Sequence, residues 1–320
     1  MKKRIIALCC LLAALLSGCG EAPAGPSDPA LPAAQTDSLS FTDDLGRTVT
    51  VASPPRRVAA LIGSFAEIWC LAGGQETLAA AAGDAWTQFD LGLGPEVADL
   101  GGVKEISTET LFAVQPDLVL ASSNTAADVA LLDLLEEAGL TAAYFNVSAF
   151  PDYLRMLEIC TRLTGSPESY AVHGEEVAAQ VEAAIARQDG SAPRVLCMRA
   201  TGSSCKAKGS EGTVLGEMLA ALGCVNIADG NGALLEELSL EAILEADPDY
   251  IFVALQGADP SRAMATLESG LLSNPAWGTL TAVREGRFYT MEQALYNLKP
   301  NARWGEAYEK LADILYPQGG

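Results

Sequence analysis

The 320-residue sequence holds one histidine, His173, and that scarcity removes whole classes of chemistry. A bare zinc or manganese ion needs several imidazoles and carboxylates converging on it, which one histidine on a helix cannot supply, so no metal site is assigned. The H-E-x-x-H pattern is impossible and G-x-S-x-G does not occur. A Ser-His-Asp arrangement would have to recruit His173 from a stretch that reads as helix, far from strand ends, so no catalytic residue is assigned and the chain is not read as an enzyme. Basic residues are also few: 20 Lys and Arg stand against 41 Asp and Glu, a formal net charge of −21. Such a surface repels phosphate backbones and offers nothing to anionic lipid, which argues against nucleic-acid binding. No C-x-x-C spacing is present, and beyond residue 16 no apolar run approaches the roughly 20 residues that cross a bilayer.

What is there begins with a processing signal. Lys2, Lys3 and Arg4 precede an apolar run from Ile5 to Leu16, and Leu16-Ser17-Gly18-Cys19 closes it with small residues before a cysteine. This pattern predicts an export signal over residues 1–18 and lipidation of Cys19, so the membrane is met through a lipid anchor only and the mature protein is extracytoplasmic. Residues 19–40 carry Pro23, Pro26, Pro29 and Pro32 among Ala, Gly and Ser with no apolar period, the composition of a flexible tether. Of the eight cysteines, Cys9 and Cys10 leave with the signal and Cys19 takes lipid. The remaining five leave at least one free thiol. Cys70, Cys160 and Cys197 lie in apolar runs as small buried hydrophobes, and one bridge among Cys197, Cys205 and Cys224 stays open.

From residue 41 onward the length suits two domains. Short apolar runs alternate with helical patterns: Arg57 to Ile62 before a helix ending at Gly73-Gly74, Leu118 to Ala121 before 126–138, and then Thr141 to Phe145. The alternation resumes after Pro193 with Arg194 to Met198 and Tyr250 to Val253. Between them, Pro151 to Arg187 reads as helix interrupted at Gly165-Ser166-Pro167. This predicts an α/β fold with lobes at 41–149 and 191–320 and a connecting helix over 150–190. An internal repeat agrees: Ser107-Thr-Glu109 leading to Pro116-Asp117 and Ser239-Leu-Glu241 leading to Pro248-Asp249 are offset by one fixed interval and each is followed by an apolar strand. Each copy reads as a helix opened by serine and stopped before Pro-Asp.

These segments together resemble the substrate-binding proteins of ABC importers for iron-siderophore, haem and cobalamin-type ligands. The likeness rests on Asp44-Leu-Gly46-Arg47 leading to Pro54-Pro55-Arg56-Arg57-Val58, on Phe65-Ala66-Glu67 leading to Leu71-Ala72-Gly73, on both copies of the repeat, and on Lys299-Pro300-Asn301-Ala302-Arg303-Trp304. It implies two Rossmann-like lobes joined by a long rigid helix, as in class III periplasmic binding proteins. It also implies a ligand cleft between the lobes, small opening motions, and an ABC permease with its ATPase as partners of a monomeric binding protein. In that family one exposed glutamate on each lobe docks onto permease arginines, and Glu109 and Glu241 match those positions. The bland alternative is an acid favoured by the helix dipole alone.

In open α/β sheets ligands sit beyond the carboxyl ends of the strands, which directs attention to Phe65, Trp86, Asn124, Arg199, Lys206, Lys208 and Gln256. Phe65 and Trp86 would offer flat apolar surface, or pack beneath a loop. Arg199, Lys206 and Lys208 form a basic group in an acidic protein, suited to carboxylates or an anionic chelate, or else solvated. The resemblance adds Tyr296 and Lys299, in a loop bordering the cleft ahead of a last helix capped by Asn301, and Arg303. Trp304 and Tyr308, one helical turn apart, read as core packing. No cofactor is expected. The ligand is a small-molecule metal chelate: an iron-siderophore, haem or corrinoid. A ligand sensor and a lipid-anchored hydrolase are the competing functions.

Overall fold

The computed structural model describes residues 37–257 and 259–317, so the signal, Cys19 and most of the tether lie outside the described residues. The first element is a hairpin of β1 (Asp37–Thr42) and β2 (Thr48–Ser53), which starts inside the stretch read as tether. Its turn explains the Asp-Leu-Gly-Arg segment. Buried Asp43 accepts from the amides of Leu45 and Arg47 and from the Arg47 guanidinium at 2.7 Å. Arg47 then reaches Ala142 O and Glu136, which clips the hairpin to the lobe behind it.

Five parallel strands follow: β3 (Val58–Ala60), β4 (Leu78–Ala81), β5 (Ala98–Asp99), β6 (Leu118–Ser122) and β7 (Ala142–Phe145), in the order β5-β4-β3-β6-β7. The second sheet is built from β8 (Arg194–Ala200), β10 (Val225–Asn226), β11 (Tyr250–Leu255) and β12 (Phe288–Met291), in the order β10-β8-β11-β12, with β9 (Cys205–Lys208) antiparallel against β8. The central pairs match in register, Val58 opposite Leu118 in one sheet and Val195 opposite Tyr250 in the other.

The sequence repeat is the hardware of this match. Ser107 Oγ accepts from Thr110 N, and Ser239 Oγ accepts from Ala242 N, so each helix opens on its serine. Each ends in a left-handed residue, Gln115 or Asp247, just before Pro-Asp. Asp117 then accepts from the amides of Arg56 and Arg57 at 2.8 and 3.0 Å, while Asp249 accepts from Arg194 N at 2.8 Å. In both lobes the Pro-Asp aspartate pins the start of its own strand to the start of the neighbouring one.

Of the connecting helix expected over 150–190, only the part beyond the Gly165-Ser166-Pro167 interruption joins the lobes. Helix Phe150–Thr164 stops at Gly165, whose φ of 74° is the left-handed conformation that glycine takes without steric cost. Pro167 then opens a second helix, in which Pro167–Tyr170, Ala171–Glu175 and Glu176–Ile185 follow end to end with helical dihedrals at both joints. Its span of about 28 Å is the rod between the lobes. Helix Phe150–Thr164 packs instead against the first lobe and crosses the rod where Tyr153 Oη donates to His173 O at 2.8 Å. The last helix, Trp304–Leu315, lies along the Glu176–Ile185 end of the rod.

Strand alternation sorts the core into three parts. Val58, Ala60, Leu118, Leu120, Val195, Cys197 and Phe252 face one continuous core shared by both lobes, together with Trp69, Tyr153 and Trp304. Their neighbours Ala59, Val119 and Tyr144 face a second core in the first lobe, and Leu196, Ile251 and Val253 a third in the second lobe. Sheets covered on both faces read as uninterrupted apolar runs, which is why these strands showed in the sequence. All five described cysteines are free thiols, so the open bridge among Cys197, Cys205 and Cys224 is not formed.

Candidate functional site

Residues at the carboxyl ends of β6 and β8, and just past β6, β7, β9 and β11, meet the loop before the last helix around a cavity of about 270 Å³. Ser122, Asn124 and Ser148 come from the first lobe, Arg199, Thr213 and Gln256 from the second, and Asn297 and Lys299 from that loop. Four residues proposed from sequence therefore come together here: Asn124, Arg199, Gln256 and Lys299. A larger hollow of about 650 Å³ lies beside β1 and the Gly165 turn. It touches no residue at a strand end of either central sheet, and the placement of ligands in open α/β sheets favours the smaller cavity.

The cavity's electrostatics are set by unpaired groups. Neither Arg199 nor Lys299 lies within ion-pair distance of a carboxylate among the described residues, although Arg47, Arg155, Arg187, Arg287, Arg303 and Lys310 all do. Arg199 Nε is buried with no acceptor. Burial lowers the pKa of both cations; Arg199 adds to that effect on Lys299, while the carboxylates of Asp84 and Asp128 oppose it. Lys299 Nζ stands 6.0 Å from the centroid of the Phe65 ring.

Asp84 opens a short helix after β4 and accepts from Gly63 N at 2.8 Å; burial raises its pKa against that bond. Gly63 has no room for a side chain, because a Cβ there would lie 2.6 Å from Ala85 N. Asp128 is fully buried, with one carboxylate oxygen on Ser122 N at 2.8 Å and the other without a partner. Burial pushes its pKa up to about 7, with the charge of Asp84 adding to the effect and the Ser122 amide and Lys299 opposing it. On the second lobe, Thr213 caps helix Val214–Ala221 through Gly216 N, so a helix N-terminus also faces the cavity.

Residues 58–295 match the family described as periplasmic binding protein. The chain belongs to the periplasmic binding protein family. This is a family of binding proteins rather than enzymes, and its members work outside the cytoplasm. A Bacillus subtilis protein named as an uncharacterized ABC transporter substrate-binding lipoprotein, YvrC, is 24% identical over 99% of this chain and 98% of its own length. The petrobactin-binding protein YclQ of B. subtilis superposes with a TM-score of 0.70 at 14% identity, covering 87% of this chain and 99% of that one. The haem-binding protein RhuT of Roseiflexus sp. RS-1 superposes with a TM-score of 0.60 at 24% identity, covering 82% and 98%. The class III architecture of two α/β lobes and a connecting helix is thus the fold of this periplasmic binding protein.

Several expectations change on this frame. Phe65 is fully buried beneath Lys299, edge-on to Phe145, and offers no face to a ligand. Tyr296 is buried with its hydroxyl donating to Ala307 O, so it packs between strand and helix. Arg303 turns away to pair with Glu306 at 2.7 Å. Trp86 is 38% exposed and, like Lys206, lies outside the cavity lining. Lys208 borders a small adjoining space with Arg199. Asn301 does not cap the last helix; its amide donates to Ser64 O at 3.0 Å and to Glu67 at 2.5 Å, tying the C-terminal loop to the first lobe. Sequence reasoning marked Asp84 only as part of the post-strand segment Asp84-Ala85-Trp86, and it missed Asp128 and Thr213; a Gly-Thr pair opening an apolar helix was the available signal for the last.

Proposed function

We propose that this chain is the extracytoplasmic solute-binding component of an ABC importer. It takes a small-molecule metal chelate of the iron-siderophore, haem or corrinoid kind into the interlobe cavity and delivers it to a permease and its ATPase. The observation that carries this reading is the cavity itself: in a periplasmic binding protein, two cations without partners face a space shared by both lobes. Among the described residues no three His, Cys, Asp or Glu side chains are grouped to hold a metal ion, which supports a ligand that arrives already chelated. Lipidation of Cys19 and a monomeric state belong to the same proposal, and the likeness to the YvrC lipoprotein supports the anchor.

Glu109 and Glu241 serve as the permease contacts. Both are exposed in the first turn of corresponding helices, one per lobe. The equivalent place of the two helices, each just ahead of a parallel strand of its own lobe, supports this assignment. Reversing both charges (Glu109→Arg with Glu241→Arg) should reduce cellular uptake of the transported chelate about tenfold or more and leave its affinity for the purified protein unchanged. Loss of ligand binding in that variant would overturn the docking assignment.

A further inference from the structure

We propose that the occupant of the cavity is a compact anionic chelate whose ionised oxygens lie between Arg199 and Lys299, and not a haem or corrinoid. The inference rests on the binding-protein reading above and narrows it. Three observations carry it, and they are independent of one another.

Size comes first. A cavity of about 270 Å³ lies just below the ~300–1,000 Å³ usual for a small-molecule site and leaves little room for a tetrapyrrole or corrin ring with its side groups. Second is the lining. Among the described residues, Val147 and Val214 are its only large apolar side chains, so they present no flat apolar wall. A haem iron is held by His, Cys, Met or Tyr, and none of these lines the cavity among the described residues. His173 is on the connecting rod, and the Tyr296 hydroxyl is already spent on Ala307 O.

Third is the charge. Arg199 Nε is buried with no acceptor, an arrangement that costs stability unless an external group completes it. Lys299 comes from a different segment and also lacks an ion-pair partner among the described residues, whereas Arg187, Arg287, Arg303 and Lys310 each meet a carboxylate. The N-terminus of helix Val214–Ala221 adds a partial positive charge on the same side as Arg199. Asn124, Ser148 and Gln256 supply neutral hydrogen-bonding groups around these cations. Two carboxylates of one ligand, or a carboxylate and a catecholate, would satisfy both cations at once. The carboxylates of Asp84 and Asp128 oppose the effect of burial on Lys299.

The test is calorimetric titration of the mature protein with ferric citrate, the ferric complex of 2,3-dihydroxybenzoate, ferrioxamine B, haemin and cyanocobalamin. Ferric citrate or the dihydroxybenzoate complex should bind most tightly, and the two arms separate carboxylate from catecholate. Lys299→Met and Arg199→Met should each weaken that binding by about tenfold or more, and Lys299→Arg by less. Wild-type affinity should also fall as salt is raised, a readout that needs no variant to fold. Tighter binding of haemin or cyanocobalamin than of both anions, methionine variants that bind like wild type, or affinity indifferent to salt would each overturn the inference and leave the transport reading standing. If a folded protein bound none of the five, both would fall.

Discussion

Asp128 is held between two opposed demands. Its Ser122 hydrogen bond wants an ionised acceptor, while complete burial and an unpartnered second oxygen penalise the charge. Burial prevails and lifts the pKa from the ordinary carboxylate range to about 7. Below the unfolded value near 4 the group is protonated in both states. As pH rises the unfolded chain ionises while the folded one resists, so its contribution to stability drains away until pH passes about 7. Asp128→Asn keeps the shape and removes the titration. Between about pH 4 and pH 7 the variant should gain on wild type by roughly 2 kcal/mol in urea unfolding, about half of what the full shift would give. Parallel pH profiles for the two proteins would mean that the carboxylate is already charged when folded. Nothing in Ala-Ala-Asp-Val marks this residue as buried, because an acid in the first turn of a helix usually faces solvent. Arg199, by contrast, stood out as one of a few bases after a predicted strand, and Lys299 through the family resemblance.

At the level of elements, the Pro-Asp passages are where the sequence was most legible. A serine-opened helix, a stop before proline and an apolar run form a local code, and both copies fold as that code requires. The code also conceals a staple that no periodicity reveals, the aspartate reaching across to the neighbouring strand. Asp117→Ala would leave the amides of Arg56 and Arg57 without their acceptor and should cost about 1–2 kcal/mol; Asp249→Ala, which frees only Arg194 N, should cost about half as much. Chemical denaturation of the two variants checks the order, and equal costs would show that the second amide contributes nothing. The hairpin Asp37–Ser53 escaped notice because its outward residues are exposed along one face and it adjoins a tether of similar polarity. The bend at Gly165 was visible as Gly-Ser-Pro. That only the helix after it serves as the rod depends on tertiary packing, which a helical pattern on both sides cannot disclose.

For the whole molecule, the decisive feature is that the two lobes are not separate cores joined by a linker. One core runs from the first sheet through the connecting rod to the second sheet, and Trp304 sits fully buried within it, its ring 5.8 Å from that of Phe150. Asn301 adds a polar tie from the C-terminal loop to Ser64 and Glu67. Lobes sharing a close-packed interior can rock about the rod only as far as that packing yields, which agrees with the small opening motions implied by the family likeness. The same geometry dictates how the protein unfolds. Because either lobe would expose part of the shared core if it opened alone, both should melt in a single calorimetric transition despite a length that suits two domains. Trp304→Ala removes the largest side chain at the junction and should cost about 3–5 kcal/mol, lowering that one transition rather than splitting it. Two resolved transitions in wild type, with only the later one moved by the substitution, would show that the lobes are energetically independent. The cavity would then have to be held together by its ligand rather than by the core behind it.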